Sequence, residues 1–84
     1  MTIAFVLINS ELGHDGEIIE KIKEILGDNS GLKYQIQGVY GIYDIVLKVS
    51  SDDGPKLRKK ITNEIRKIDK VKSTLTMIVI EEQE

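Results

Sequence analysis

The residues able to do chemistry are few and poorly placed for doing it together. The single histidine, His14, sits in the turn Gly13-His14-Asp15-Gly16. A metal site or a general base needs further ligands or an orienting partner at matched spacing, and none is evident around it. His14 therefore reads as a solvated turn residue. There is no cysteine, which removes disulfides, thiolate nucleophiles and Cys-based zinc sites. No Ser-His-Asp set, Gly-rich phosphate loop or His-Cys cluster is present, so no metal, cofactor or catalytic residue is expected. The carboxylates are scattered, with a solvated row of them along the first helix. The cations are not: of the 12 Lys and Arg, those at 56, 58, 59, 60, 66, 67, 70 and 72 fall in one stretch. A solvated helix face, with charges that suit the C-terminal end of its dipole, accounts for them. No aromatics interleave them and the formal net charge is −2, so direct nucleic-acid binding is not expected.

The elements that hold these residues follow from periodicity. Thr2–Asn9 is apolar, β-branched and aromatic, a strand. It lacks the basic start and small-residue cleavage site of a signal peptide and falls short of the ~20 residues of a membrane helix. A cytoplasmic protein without a membrane span is expected. Asp15 caps a helix whose stripe is Ile18, Ile22, Ile25 and Leu26, ended by Gly27 and the loop Asp28 to Gly31. Leu32 to Gln37 alternates apolar and polar, a strand with one wet face. Gly38 to Gly41 brackets a turn, and Ile42–Val49 is the third strand. Asp52-Asp53-Gly54-Pro55 starts the second helix, with a stripe of Leu57, Ile61, Ile65 and Ile68. Leu75–Ile80 is the last strand, followed by the charged tail Glu81–Glu84. The 84 residues make one domain, 1–84, in the order βαββαβ. That is an α+β, ferredoxin-like fold with both helices on one face and β1 and β3 central. The Lys, Glu and Ile bias is compatible with a thermophilic source.

Two helices cover one face of a four-stranded sheet. The other face should be polar, yet in the first strand Ile3, Phe5 and Leu7 point one way and Ala4, Val6 and Ile8 the other. The last strand sets Leu75, Met77 and Val79 against Thr76, Ile78 and Ile80. Strands apolar on both sides are buried on both sides, and another copy of the sheet is the economical cover. A homo-oligomer is expected, closing two sheets into a dimeric α+β barrel-like assembly.

Gln37-Gly38-Val39-Tyr40-Gly41 superficially resembles the Gln-Gly-Val stretch of acylphosphatases. There the stretch runs into a helix with an arginine close behind. Here a strand follows, and the first arginine is Arg58, so that reading is rejected. Val39-Tyr40-Gly41-Ile42-Tyr43-Asp44-Ile45-Val46-Leu47-Lys48-Val49 is similar to the Gly-x-Tyr/Phe-Asp turn and apolar strand of the Lrp/AsnC family of transcription regulators. Val71-Lys72-Ser73-Thr74-Leu75-Thr76-Met77-Ile78-Val79 resembles that family's last strand with its Thr-x-Thr start, and Thr2 to Ile8 fits as well. The order and spacing of the segments span nearly the whole chain.

The resemblance implies the RAM domain, which binds amino-acid effectors at a subunit interface, dimerises through its sheets and often builds octamers of four dimers. It implies a site of Gly41, Ile42, Tyr43 and Asp44 from the β2–β3 turn with Thr74 and Thr76 of a neighbouring subunit. Backbone N–H groups near Gly41 and Tyr43 would hold the effector carboxylate, since glycine permits close approach. Asp44 would pair with the ammonium, and the threonines would add hydroxyls. Family members usually carry an N-terminal helix-turn-helix, whereas this sequence begins at the first strand. A full-length regulator of the family is therefore an expected partner. Tyr40 stands where a small hydroxyl residue is more usual. Three readings compete: an ACT-type amino-acid module, a small dimeric α+β-barrel enzyme, and a purely structural assembly module.

Overall fold

Alternation along each strand decides which side chains meet the helices. In the computed structural model, which describes residues 2–27 and 32–79, β1 (Thr2–Ser10), β2 (Leu32–Gly38), β3 (Ile45–Ser51) and β4 (Val71–Ile78) form one antiparallel sheet in the order β2-β3-β1-β4. Helix α1 (Asp15–Gly27) links β1 to β2. Helix α2 (Gly54–Lys60), extended by a π turn over Ile61–Ile65, links β3 to β4. The layout is the expected ferredoxin-like βαββαβ, with β1 and β3 in the middle.

The inward residues Ala4, Val6 and Ile8 of β1 and Ile45, Leu47 and Val49 of β3 are buried against Ile18, Ile22 and Leu26 of α1 and Leu57, Ile61 and Ile65 of the second helical segment. Each large aliphatic side chain so buried contributes about 1.5–3 kcal/mol. Between α2 and β1 the approach is close enough to need glycine. A Cβ on Gly54 would stand 2.8 Å from Thr2 Oγ1.

Helix starts follow local chemistry. Asp53 caps α2, its Oδ1 accepting from the Lys56 N–H at 3.1 Å, with Pro55 in the first turn. At α1 the expected cap is displaced by one residue. The Ile18 N–H donates to the His14 carbonyl, so Asp15 lies in the first turn with Glu17, where the dipole favours both. His14 Nδ1 lies 3.2 Å from Glu17 Oε2.

The main differences from the sequence reading are two strand starts and the form of the second helix. β3 begins at Ile45, not Ile42, because residues 39–44 are used in the turn. β4 runs from Val71, not Leu75, because Ser73 and Val71 still pair with Asn9 and Ser10 across a register shift. The second helix is not uniform: the Arg66 N–H reaches back five residues to the Ile61 carbonyl at 3.1 Å. Apolar residues every fourth position drift about 40° per step on an α-helix. The widened turn takes up part of that drift and keeps both Ile61 and Ile65 on the sheet. The loop Asp28 to Gly31, Ile80 and the tail Glu81–Glu84 lie outside the described residues.

Candidate functional site

The turn between β2 and β3 is built to hold its backbone in one shape. The Val39 N–H donates to the Asp44 carbonyl at 2.8 Å, and the Asp44 N–H donates to the Ile8 carbonyl at 3.0 Å. Gly41 has φ +154°, a conformation costly for any residue with a Cβ. The Asp44 carboxylate completes the clamp. Its Oδ2 accepts from the Ser10 N–H at 2.8 Å and from Ser10 Oγ at 3.3 Å. Its other oxygen has no hydrogen-bond partner among the described residues. Tyr40 and Ile42 project fully into solvent, at 107% and 87% exposure, while Tyr43 is half-buried.

Beside this turn lies an open cleft of about 500 Å³, walled by the β1–α1 connection and lined by Ser10, Leu12, Tyr40, Gly41, Asp44 and Lys72 among others. It combines two carboxylates, Asp44 and Asp15, an ammonium and exposed apolar side chains. Ser10 and Lys72 escaped the sequence reading. Ser10 acts through a bond to a residue far along the chain, and nothing local signals that. Lys72 was read as one of the helix-side cations, yet it belongs to β4.

Thr74 and Thr76 are not part of this cleft within one chain. They pair with Ile8 and Val6, so they face the helical layer. There they line a second cleft with Arg58, Thr62 and Arg66. The structure thus joins Gly41 and Asp44 and sets the threonine pair apart from them. Among the described residues no cluster of three or more His, Cys, Asp or Glu could hold a metal, and no described helix is long and apolar enough to cross a membrane.

The face turned away from the helices has two halves. On β2, Lys33, Gln35 and Gln37 are exposed. On β1 and β4, Phe5 pairs with Met77 and Leu7 with Leu75, and Ile3 and Val46 lie on the same face. Leu75 and Met77 are 45% and 46% exposed. Lys48 Nζ lies 5.8 Å from the Phe5 ring centre, within cation–π range, and marks the boundary between the halves.

No protein-family model matches the chain, and no curated protein sequence does. Solved structures do. The crystal structure of FFRP-DM1 shares 35% identity with a TM-score of 0.77, over 95% of this chain and 100% of that one. AsnC from E. coli gives a TM-score of 0.73 at 23% identity, over 96% of this chain and 52% of AsnC. The chain thus spans about half of that regulator. The transcriptional regulator NMB0573 from Neisseria meningitidis, solved as an L-Met complex, gives a TM-score of 0.70 at 12% identity, over 99% of this chain and 52% of that one. The last two likenesses concern the fold. The identity over the full length of FFRP-DM1 goes further, and with it the chain belongs to the Lrp/AsnC (FFRP) family of transcription regulators, as a regulatory domain of that family.

Proposed function

We propose that this domain is an amino-acid effector-binding and oligomerisation module, which influences transcription indirectly through ligand-dependent assembly and performs no catalysis. The observation that carries the reading is the cleft at the clamped β2–β3 turn. An amino acid presents a carboxylate and an ammonium a few ångströms apart. The backbone around Gly41 and Tyr43, with Lys72 nearby, suits the first, and the unengaged oxygen of Asp44 suits the second. Charge-assisted contacts of this kind are about twice as strong as neutral ones. Exposed Leu12, Val39 and Tyr40, which line the cleft, would grip an apolar effector side chain, with Ile42 beside them on the turn. The L-Met complex of NMB0573, which shares the fold, supports this ligand class. Thr74 and Thr76, in their separate cleft, join such a site only from a second subunit.

The apolar half of the open sheet face supports a homodimer closed sheet to sheet, with octamers of four dimers as the further assembly and a full-length regulator of the family as the partner carrying DNA recognition. A ligand shifts assembly only by its difference in affinity between states, typically about 1–3 kcal/mol. Native mass spectrometry with and without each of the twenty amino acids reports stoichiometry and bound ligand together. The expected result is a dimer or larger species that retains one or a few amino acids. A protein that binds none of them, with its stoichiometry unchanged throughout, would refute the effector reading.

A further inference from the structure

We infer that the cleft between the second helical segment and β4 is a binding site for a small phosphate-bearing anion, separate from the effector cleft and complete within one chain. The cleft has a volume of about 330 Å³ and is lined by Arg58, Thr62, Arg66, Thr74 and Thr76 over a floor of Ile61 and Ile78. Its polar lining is two guanidinium groups and three hydroxyls, with no carboxylate. Guanidinium forks match phosphate oxygens geometrically, and hydroxyls supply the remaining donors.

The arginines are also uncommitted. Lys21, Lys23 and Lys60 each pair with a glutamate three or four residues away. Among the described residues neither the Arg58 nor the Arg66 guanidinium has an ion-pair or hydrogen-bond partner.

The π turn is what puts the two arginines together. On an unbroken α-helix, at about 100° per residue, Arg66 would sit about 80° around the axis from Arg58. A widened turn absorbs one extra residue, so the eight steps cover the angle of about seven, and Arg66 returns to within about 20° of Arg58. Thr62 lies one turn on from Arg58, about 40° from it around the axis. The irregularity that keeps Ile61 and Ile65 buried therefore also lines up two cations and a hydroxyl opposite the threonines of β4. A neighbouring cleft lined by Arg66, Lys72, Ser73 and Thr74 continues the same polarity toward the start of β4.

Size and surroundings favour a small ligand over nucleic acid. The volume is that of a small-molecule site, no aromatic side chain lines it for base stacking, and the whole chain carries a formal charge of −2.

The test is isothermal titration of the purified protein with pyrophosphate and with inorganic phosphate in low salt, with sulfate as the comparison anion and single-stranded oligonucleotide as a separate arm. The expected result is saturable pyrophosphate binding, tighter than sulfate, weakened at least tenfold by Arg58→Gln or Arg66→Gln and less by Thr74→Val. Lys67→Gln, a cation not lining the cleft, should leave it unchanged. Both arginines are exposed, so their variants should keep wild-type circular dichroism. Equal binding of sulfate and pyrophosphate, binding that survives Arg58→Gln/Arg66→Gln, or tight oligonucleotide binding without pyrophosphate binding would each overturn the assignment. Amino-acid binding at the turn is read in the same instrument without phosphate, so failure of one site leaves the other standing.

Discussion

Replacing Asp44 by alanine removes the bond that ties the β2–β3 turn to the end of β1. The lost contact is a hydrogen bond from a backbone N–H to a charged acceptor at 2.8 Å, with a second, longer one from Ser10 Oγ at 3.3 Å. Hydrogen bonds to charged groups contribute about 1.5–3 kcal/mol. Ser10 is only 9% exposed, so water cannot fully replace the carboxylate at its N–H. The expected loss for Asp44→Ala is therefore about 2–3 kcal/mol. At ~4–8 °C per kcal/mol for a domain of this size, Tm should fall by roughly 8–24 °C. Asp44→Asn keeps an acceptor of the same shape and should lose about 1 kcal/mol, the part due to charge. Urea unfolding followed by circular dichroism measures both, at one fixed protein concentration because assembly contributes to apparent stability. If Asp44→Ala unfolds within 0.5 kcal/mol of the parent chain, the turn is not held by this bond and the preorganised cleft loses its basis. Asp44→Asn then isolates the ligand role: effector affinity should drop tenfold or more while most of the stability remains.

Further outcomes follow from other contacts. Leu75→Lys together with Met77→Lys places two cations on the apolar half of the open face. Light scattering should then report a single chain with unchanged secondary structure, and an unchanged mass would remove the sheet-to-sheet interface. Lys70 adopts φ +75°, so Lys70→Gly should stabilise by about 0.5–1 kcal/mol, measured by thermal unfolding; a fall in Tm would show that the lysine side chain contributes more than the backbone strain costs. Gly54→Ala should cost about 1–3 kcal/mol through overpacking on Thr2, and Thr2→Ala in the same chain should recover most of it, read by the same melts. Gly41→Ala, open in space but strained in φ, should cost about 1–3 kcal/mol and weaken effector binding in calorimetry.

The sequence made the sheet legible because its signals are local and redundant. Ile3 to Ile8 can be nothing but a strand flanked on both sides, and the stripes at 18, 22, 26 and at 57, 61, 65 leave little choice for the helices. The bare half of the open face was legible too, since Phe5 and Leu7 share a parity and Leu75 and Met77 share another. What escaped was set by long-range bonds. Ile42 looks like strand by composition, but the Asp44–Ser10 and Asp44–Ile8 bonds hold residues 39–44 in the turn. The π turn depends on how Ile61 and Ile65 seat on the sheet, and no residue type announces it. That Thr74 and Thr76 stand beside Arg58 and Arg66 within one chain depends on the pairing of β4 with β1, which no local signal gives.

The placement of β1 has a consequence for how the chain comes off the ribosome. The first strand made is the central one, and its neighbours are β3 and β4, with Ala4 opposite Val49 on one side and Ile78 on the other. During synthesis Phe5, Val6 and Leu7 can pair with Lys48, Leu47 and Val46 once β3 has emerged, but their other edge stays open until residues 75–77 follow. Pairings of such wide sequence separation close slowly, and exposed apolar strands are the segments through which nascent chains aggregate. Helix α1, which precedes both partner strands in the chain, carries Ile18, Ile22 and Leu26 to the inward side of β1 and can cover that side in the meantime.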